Sequence, residues 1–411
     1  MWRSLAPVLM ALLLSNPVAR PAGAAWGQKS RNCPRLVSTL ETLEQAGTDP
    51  ADPHLRRLRN RVADKCVAMN EIQVLGTHNS YHIEPKPPLM SLLLSADPAF
   101  AGLQYSHPAL DVQFGMEGAR QIEIDVFADP DGGLYYYRRI LVILNQDIES
   151  HIPELLEPGF KVLHAQDVDF RTQCLTFVDC LHQIKDWSDA NPRHLPLMVL
   201  VEAKDDTIPD PLDLGFVIPI PIGTPELDAL DAEIRSVIPA RQLITPDRVR
   251  RGRPTLEDAI LTIGWPRLDA VRGKIMFLLD NEGKRAAYLN GHPSLEGRVI
   301  FTNSTPGDPD AAFVKMNDPF ATSPSIAEVV AAGYVVRTRS DADTVEARSG
   351  DTGPRDAALA SGAQAVSTDY PEPDPRFGTG YMVAIPGGMP ARCNPVNAPA
   401  GCRNEALERL N

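Results

Sequence analysis

No two cysteines in this chain stand at Cys-x-x-Cys spacing, and past the N-terminus no uninterrupted apolar stretch approaches the length that spans a bilayer. The first absence argues against a zinc or dithiol redox site. The second argues for a mature chain that stays out of the membrane core. Basic charge is scarce as well: 40 Lys and Arg face 53 Asp and Glu, a formal net charge of -13. A chain of that sign gains nothing from phosphate-backbone attraction, so nucleic acid is not an expected partner. An anionic membrane would repel it weakly unless a cation or a local basic site intervened. The first strand-like run is not followed by a glycine-rich phosphate turn, which weakens the case for an open doubly wound sheet.

What is present begins with the N-terminus. Arg3 precedes an apolar run over residues 5–14, and Ala22-Gly23-Ala24-Ala25 offers small residues for cleavage. This layout predicts a secretory signal over residues 1–25 and a secreted, extracellular protein; an uncleaved anchor is the alternative. Losing Arg3 and Arg20 with the signal takes the net charge to about -15. Six cysteines fit an oxidising compartment. They fall into three sequence neighbourhoods, which favours the local pairs Cys33–Cys66, Cys174–Cys180 and Cys393–Cys402 among the possible connectivities.

Residues 26–70 read as a helical cap, broken at Gly47-Thr48-Asp49-Pro50. Short apolar, β-rich runs then alternate with helical patterns. Strands are expected at 72–75, 121–126, 161–164, 197–202, 274–279, 299–302, 334–338 and 365–368, and helices at 173–190, 226–237, 256–263, 325–331 and 355–361. Eight strands with helical connections predict an α/β fold: one parallel β/α barrel over residues 71–375. A Pro- and Gly-rich tail over 376–411 is expected to wrap the surface.

Several of these strands end in polar residues. Leu75-Gly76-Thr77-His78-Asn79-Ser80 follows the first; its alternative is a turn that bonds its own backbone. In Gln121-Ile122-Glu123-Ile124-Asp125-Val126, alternation puts Glu123 and Asp125 on one face and three aliphatics on the other. Two carboxylates facing a barrel interior repel one another and resist desolvation unless a cation lies between them. The run 197–204 is apolar until Glu202 and Lys204, for which a buried ion pair is the structural alternative. The third strand ends at His164, otherwise a core histidine. Asn79, Glu123, Asp125 and Glu202 are hard oxygen donors expected at one rim, a set suited to Ca²⁺ in preference to Mg²⁺, and unsuited to zinc. His78 and His164 beside them suit proton transfer near neutral pH.

Thr77-His78-Asn79-Ser80, Glu123-x-Asp125, His164 and Val201-Glu202-x-Lys204 together resemble the phosphatidylinositol-specific phospholipase C superfamily, most closely its secreted calcium-dependent bacterial members. The resemblance runs in order from Met69 to Pro375 and takes in Val336-Arg337-Thr338-Arg339-Ser340-Asp341 and Ser367-Thr368-Asp369-Tyr370-Pro371. It implies a distorted TIM-type barrel acting on phosphatidylinositol at a membrane surface, with His78 as general base and His164 as general acid. It implies calcium on Asn79, Glu123, Asp125 and Glu202, and substrate contacts from Lys204, Arg337 and Tyr370. A glycerophosphodiesterase, or a phospholipase D of the sphingomyelinase type, shares the barrel and remains open, as does a non-catalytic lipid- or metal-binding barrel. A carbohydrate hydrolase could use the three carboxylates but gives no reason for the histidines. No protein partner is called for, and a monomer is expected. Tyr135-Tyr136-Tyr137 and the apolar loop 212–222 are candidate lipid contacts; His107 has no assigned role.

Overall fold

Two helices come first, and each carries a proline in its first turn, which its fixed φ suits. α1 (Cys33–Gln45) and α2 (Pro53–Cys66) lie antiparallel, and Asp52 caps α2 by accepting from the backbone N–H groups of His54 and Leu55. Leu40, Leu55, Leu58 and Val62 form a small core between them, and Cys33–Cys66 joins their far ends. The computed structural model describes residues 32–408. The expected signal segment lies outside the described residues.

Eleven strands follow: β1 (Ile72–Thr77), β2 (Gln121–Phe127), β3 (Lys161–Val162), β4 (Leu197–Ala203), β5 (Leu243–Ile244), β6 (Ile275–Leu279), β7 (Ile300–Thr302), β8 (Phe313–Lys315), β9 (Val335–Arg339), β10 (Ala365–Thr368) and β11 (Ala391–Cys393). Parallel pairing runs β8-β9-β10-β1-β2-β4-β6-β7. A single parallel bridge between Asn303 and Phe313 brings β7 back to β8. The sheet is therefore a curled parallel barrel with two thin seams, at β7–β8 and at β1–β2, where the ladder holds one pair, Gly76 opposite Gln121. Glycine is required at that seam: a Cβ on Gly76 would lie 2.0 Å from the Gln121 Oε1 atom.

Helices at Phe177–Ala190, Thr224–Val237, Leu256–Thr262, Ile326–Ala332 and Gly353–Ala360 fall within a few residues of their expected positions. The principal core lies between them and the sheet, where Ile122, Ile124, Val126, Val199, Val201 and Phe277 are fully buried. Each such aliphatic or aromatic side chain contributes roughly 1.5–3 kcal/mol by leaving water.

Three elements depart from the sequence reading. Lys161–Val162 is not a barrel strand: it pairs antiparallel with the end of β2, outside the ring. Lys161 is fixed there by Asp129 at 3.0 Å and the Glu157 carbonyl at 2.6 Å. β2 pairs directly with β4 instead, and the eighth ring strand is β8, between β7 and β9, three residues in an otherwise irregular segment. The tail does more than wrap the surface, since β11 pairs antiparallel with the lower half of β1, over Ile72–Val74. All three expected disulfides are formed, and among the described residues no helix is long and apolar enough to cross a membrane.

Candidate active site

Parallel pairing puts every ring strand's C-terminal end on one rim, and the polar residues gather there. The turn after β1 is built from the motif itself. The Asn79 φ of +43° is left-handed, a region asparagine tolerates better than most residues. Ser80 then clips the turn to β2: its N–H donates to the Glu123 carbonyl at 2.9 Å, and its hydroxyl accepts from the Glu123 N–H at 2.8 Å. Thr77 and Ser80 are buried and spend their hydroxyls on each other and on Gln113. The hydroxyls of this motif thus hold the turn, and its imidazole and amide are the groups presented to the site.

His78 Nδ1 lies 2.8 Å from Asp369 Oδ1, just past β10. With the proton on Nδ1 donated to that carboxylate, Nε2 is left as the basic nitrogen; Arg339 Nη1 lies 3.3 Å from it and Glu123 Oε1 3.7 Å. Burial, and then the charges of Arg339 and Arg337, hold the His78 pKa well below the ordinary imidazole value. Burial raises the Asp369 pKa against the pull of Arg339. The second histidine sits not at a strand end but in a tight loop: Ala165 and Asp169 exchange backbone hydrogen bonds at 2.9 Å. Asp169 Oδ2 then lies 2.9 Å from His164 Nδ1 and 2.8 Å from His82 Nε2. Burial opposes the charge on Asp169, yet the His82 and His164 contacts hold its pKa below the usual carboxylate value.

Ligand-type oxygens of Glu123, Asp125 and Glu202 lie within 4.8 Å of one another, with Asp125 directly opposite Glu202 in the β2–β4 ladder. Glu123 pairs with Arg337, and Asp125 Oδ2 with Lys204 Nζ at 3.1 Å. Burial, reinforced by the neighbouring carboxylates, raises the pKa of both Glu123 and Asp125 despite these cations. Burial disfavours charge on Lys204, but Asp125 and Glu202 hold its pKa above the usual value. The residues fit calcium on one further observation. Asn79 Nδ2 donates to the Tyr105 hydroxyl at 3.1 Å, leaving its Oδ1 buried without a partner, and Asp125 Oδ1 is likewise buried and unpartnered. Orphaned hard oxygens beside a cluster of carboxylates are what an oxygen-preferring divalent cation satisfies.

A cavity of about 300 Å³ opens at the rim, lined by His78, Asn79, Tyr105, His164, Asp169 and Arg339 among others. None of the three expected substrate contacts lines it, Lys204 being turned to Asp125. Arg337 is fully buried and bonded to Glu123, Asn317 and Ser367. Two residues further along the same face of β9, Arg339 reaches the rim instead. Tyr370 is buried against Phe377 and Tyr381 in a satellite core. Tyr105 is the aromatic ring beside the histidines, 4.4 Å from His82 and 6.5 Å from His78 between centroids. His107, unassigned from sequence, donates Nε2–H to the His78 carbonyl at 2.8 Å, and burial lowers its pKa to about 4. It stays neutral and fixes the turn after β1 from behind.

A family model described as Ca²⁺-dependent phosphoinositide phospholipase C matches residues 67–395. No curated protein gives a match. Among solved structures, the chain is similar to a Ca²⁺-dependent phosphatidylinositol-specific phospholipase C from Streptomyces antibioticus (17% identity, 74% of this chain and 96% of that one, TM-score 0.46). It is similar also to the calcium-dependent enzyme of a Gram-negative Pseudomonas sp. (15% identity, 80% and 96%, TM-score 0.45). The family match takes in the whole barrel, from the turn after α2 to the last residues of β11 and beyond, and the chain belongs to the Ca²⁺-dependent phosphoinositide phospholipase C family, a family of phosphodiesterases.

Proposed function

We propose that this protein is a secreted, Ca²⁺-dependent phosphatidylinositol-specific phospholipase C that cleaves the glycerol–phosphate bond at a lipid surface. The observation that carries the reading is the rim cavity over His78 and His164, two carboxylate-oriented histidines beside an all-oxygen cluster. His78, kept neutral by burial and held at Nδ1 by Asp369, is the base: its Nε2 takes the proton of the inositol 2-hydroxyl. As that oxygen bonds to phosphorus, the bond to the glycerol oxygen breaks, and His164 gives that oxygen a proton. Diacylglycerol and a cyclic inositol phosphate result. Water can open the cycle with the two histidines exchanging roles. Asn79, Glu123, Asp125 and Glu202 would hold calcium, which when bound offsets charge on the phosphoryl oxygens and lowers the nucleophile's pKa. Arg339, in place of Arg337, is the cation available to phosphate or inositol oxygens, while Lys204 balances charge through Asp125. A secreted protein accounts for the three disulfides. In domain terms, residues 1–25 are a signal, 26–70 a helical cap, 71–375 the barrel and 376–411 a stapled tail.

Two sets of variants separate proton transfer from metal binding. His78→Ala and His164→Ala are expected to lower turnover by at least about a hundredfold while calorimetric calcium affinity stays within about threefold of wild type. Glu123→Gln is expected to weaken calcium binding itself. Near wild-type turnover in both histidine variants would remove the acid–base assignment.

A further inference from the structure

A second cavity, of about 390 Å³, lies outside the catalytic one, with no lining residue in common. One side of it is the pair of segments joined by the His82–Thr172 bridge and by the Ile83 N–H donating to the Arg171 carbonyl. Lys86, Arg138 and Arg171 line this cavity, and none of its lining residues is Asp or Glu. Among the described residues, none of the three cations has an ion pair. The Arg171 guanidinium reaches only the backbone carbonyl of Glu84, whose carboxylate is committed to Arg376. Arg138 stacks 4.4 Å from the Phe170 ring centroid, with its Nε buried and unpartnered. Burial and the like charge of Arg171 press the Arg138 pKa down from its usual value. In a chain with a net charge of -13, three uncompensated cations around one hollow form an anion site by charge and shape.

The remaining wall is apolar and says which anion. Leu89, Leu141 and Phe170 line the cavity and belong to a cluster with helix α3 (Pro87–Ala96) and the short 3-10 helix Arg139–Leu144. The same cluster includes Phe100, Leu103 and Val168, which line the catalytic cavity. One apolar collar therefore runs between the two openings on the same rim.

We infer that the Lys86–Arg138–Arg171 cavity binds the phosphodiester headgroup of a second, non-substrate anionic phospholipid, whose acyl chains lie against the collar. It anchors a negatively charged protein to a negatively charged bilayer with the catalytic mouth facing the lipid. The inference rests on the lipid-hydrolase reading, but its test does not require turnover.

The test is vesicle co-sedimentation in chelator, comparing phosphatidylcholine vesicles with vesicles carrying phosphatidylglycerol. Wild type is expected to prefer the anionic vesicles, and Lys86→Gln with Arg138→Gln to lose about fivefold of that preference per charge removed. Lys86→Glu, an exposed single change, gives the same direction without touching the stacked arginine. Glycerol phosphate in solution should compete poorly because it lacks chains for the collar. Wild-type indifference to phosphatidylglycerol, or a preference that survives in both variants, overturns the site. Equal binding of free glycerol phosphate, with no gain on vesicles, overturns its assignment to lipid. Hydrolysis of phosphatidylinositol can be present or absent without changing what either result means for the site.

Discussion

One carboxylate oxygen of Asp169 touches two imidazoles, His82 at 2.8 Å and His164 at 2.9 Å. His82 is wholly buried and holds its other nitrogen on the Tyr105 carbonyl at 3.1 Å, so it fixes Asp169, and Asp169 fixes the tautomer of His164. Asp169→Asn should therefore act through His164, lowering turnover by about a hundredfold or more, shifting the pH profile, and leaving calcium affinity in place. A loss of calcium binding in that variant would contradict the positioning role. At this scale the sequence is informative where a side chain sits on a strand or at its end: His78, Asn79 and Glu202 follow or close an apolar run, and Glu123 and Asp125 alternate with aliphatics within one. Groups supplied by loops leave no such mark. Tyr105 and His107 lie in the aperiodic stretch after α3, and Asp169 is five residues past His164 with nothing in the spacing to link them. Arg339 and Arg337 share a face of β9, and the sequence carries no measure of depth by which to choose between them.

At the scale of elements, period and apolarity identify seven of the eight ring strands and five helices, and fail where an element is very short. β8 is three residues long among turns, while residues 161–164, a short apolar pair between polar residues, end the ladder after two residues, pairing antiparallel outside the ring. The loop 212–222 is divided in the same way. Leu214 and Phe216 pack into the α3 cluster, Val217 packs beside Tyr135, and Ile222 is buried. Leu212 and Ile218 remain 63% and 75% exposed. The residues to test for lipid contact are these two, and not Phe216, whose removal would damage packing. Leu212→Ser with Ile218→Ser should weaken vesicle binding roughly tenfold and leave thermal stability nearly unchanged. Unaltered vesicle binding would assign this loop to the protein's own surface.

For the whole molecule, a parallel barrel explains why residues scattered from His78 to Asp369 meet: every ring strand ends on the same rim. The ends of the chain are tied to the opposite rim, where the strands begin. Glu408 in the tail pairs with the buried Arg120 just before β2, at 2.6 Å, and α2 is held there through Asp64, which pairs with Arg272 before β6 at 2.6 Å. The central claim is that this assembly performs calcium-dependent cleavage of phosphatidylinositol on the glycerol side of phosphorus. Phosphorus NMR of the mature protein with phosphatidylinositol vesicles, in calcium and then in chelator, tests it most directly. The expected result is cyclic or linear inositol phosphate that forms with calcium and not with chelator. Phosphatidic acid as the product, or no phosphorus change from folded, calcium-bound protein, would contradict it.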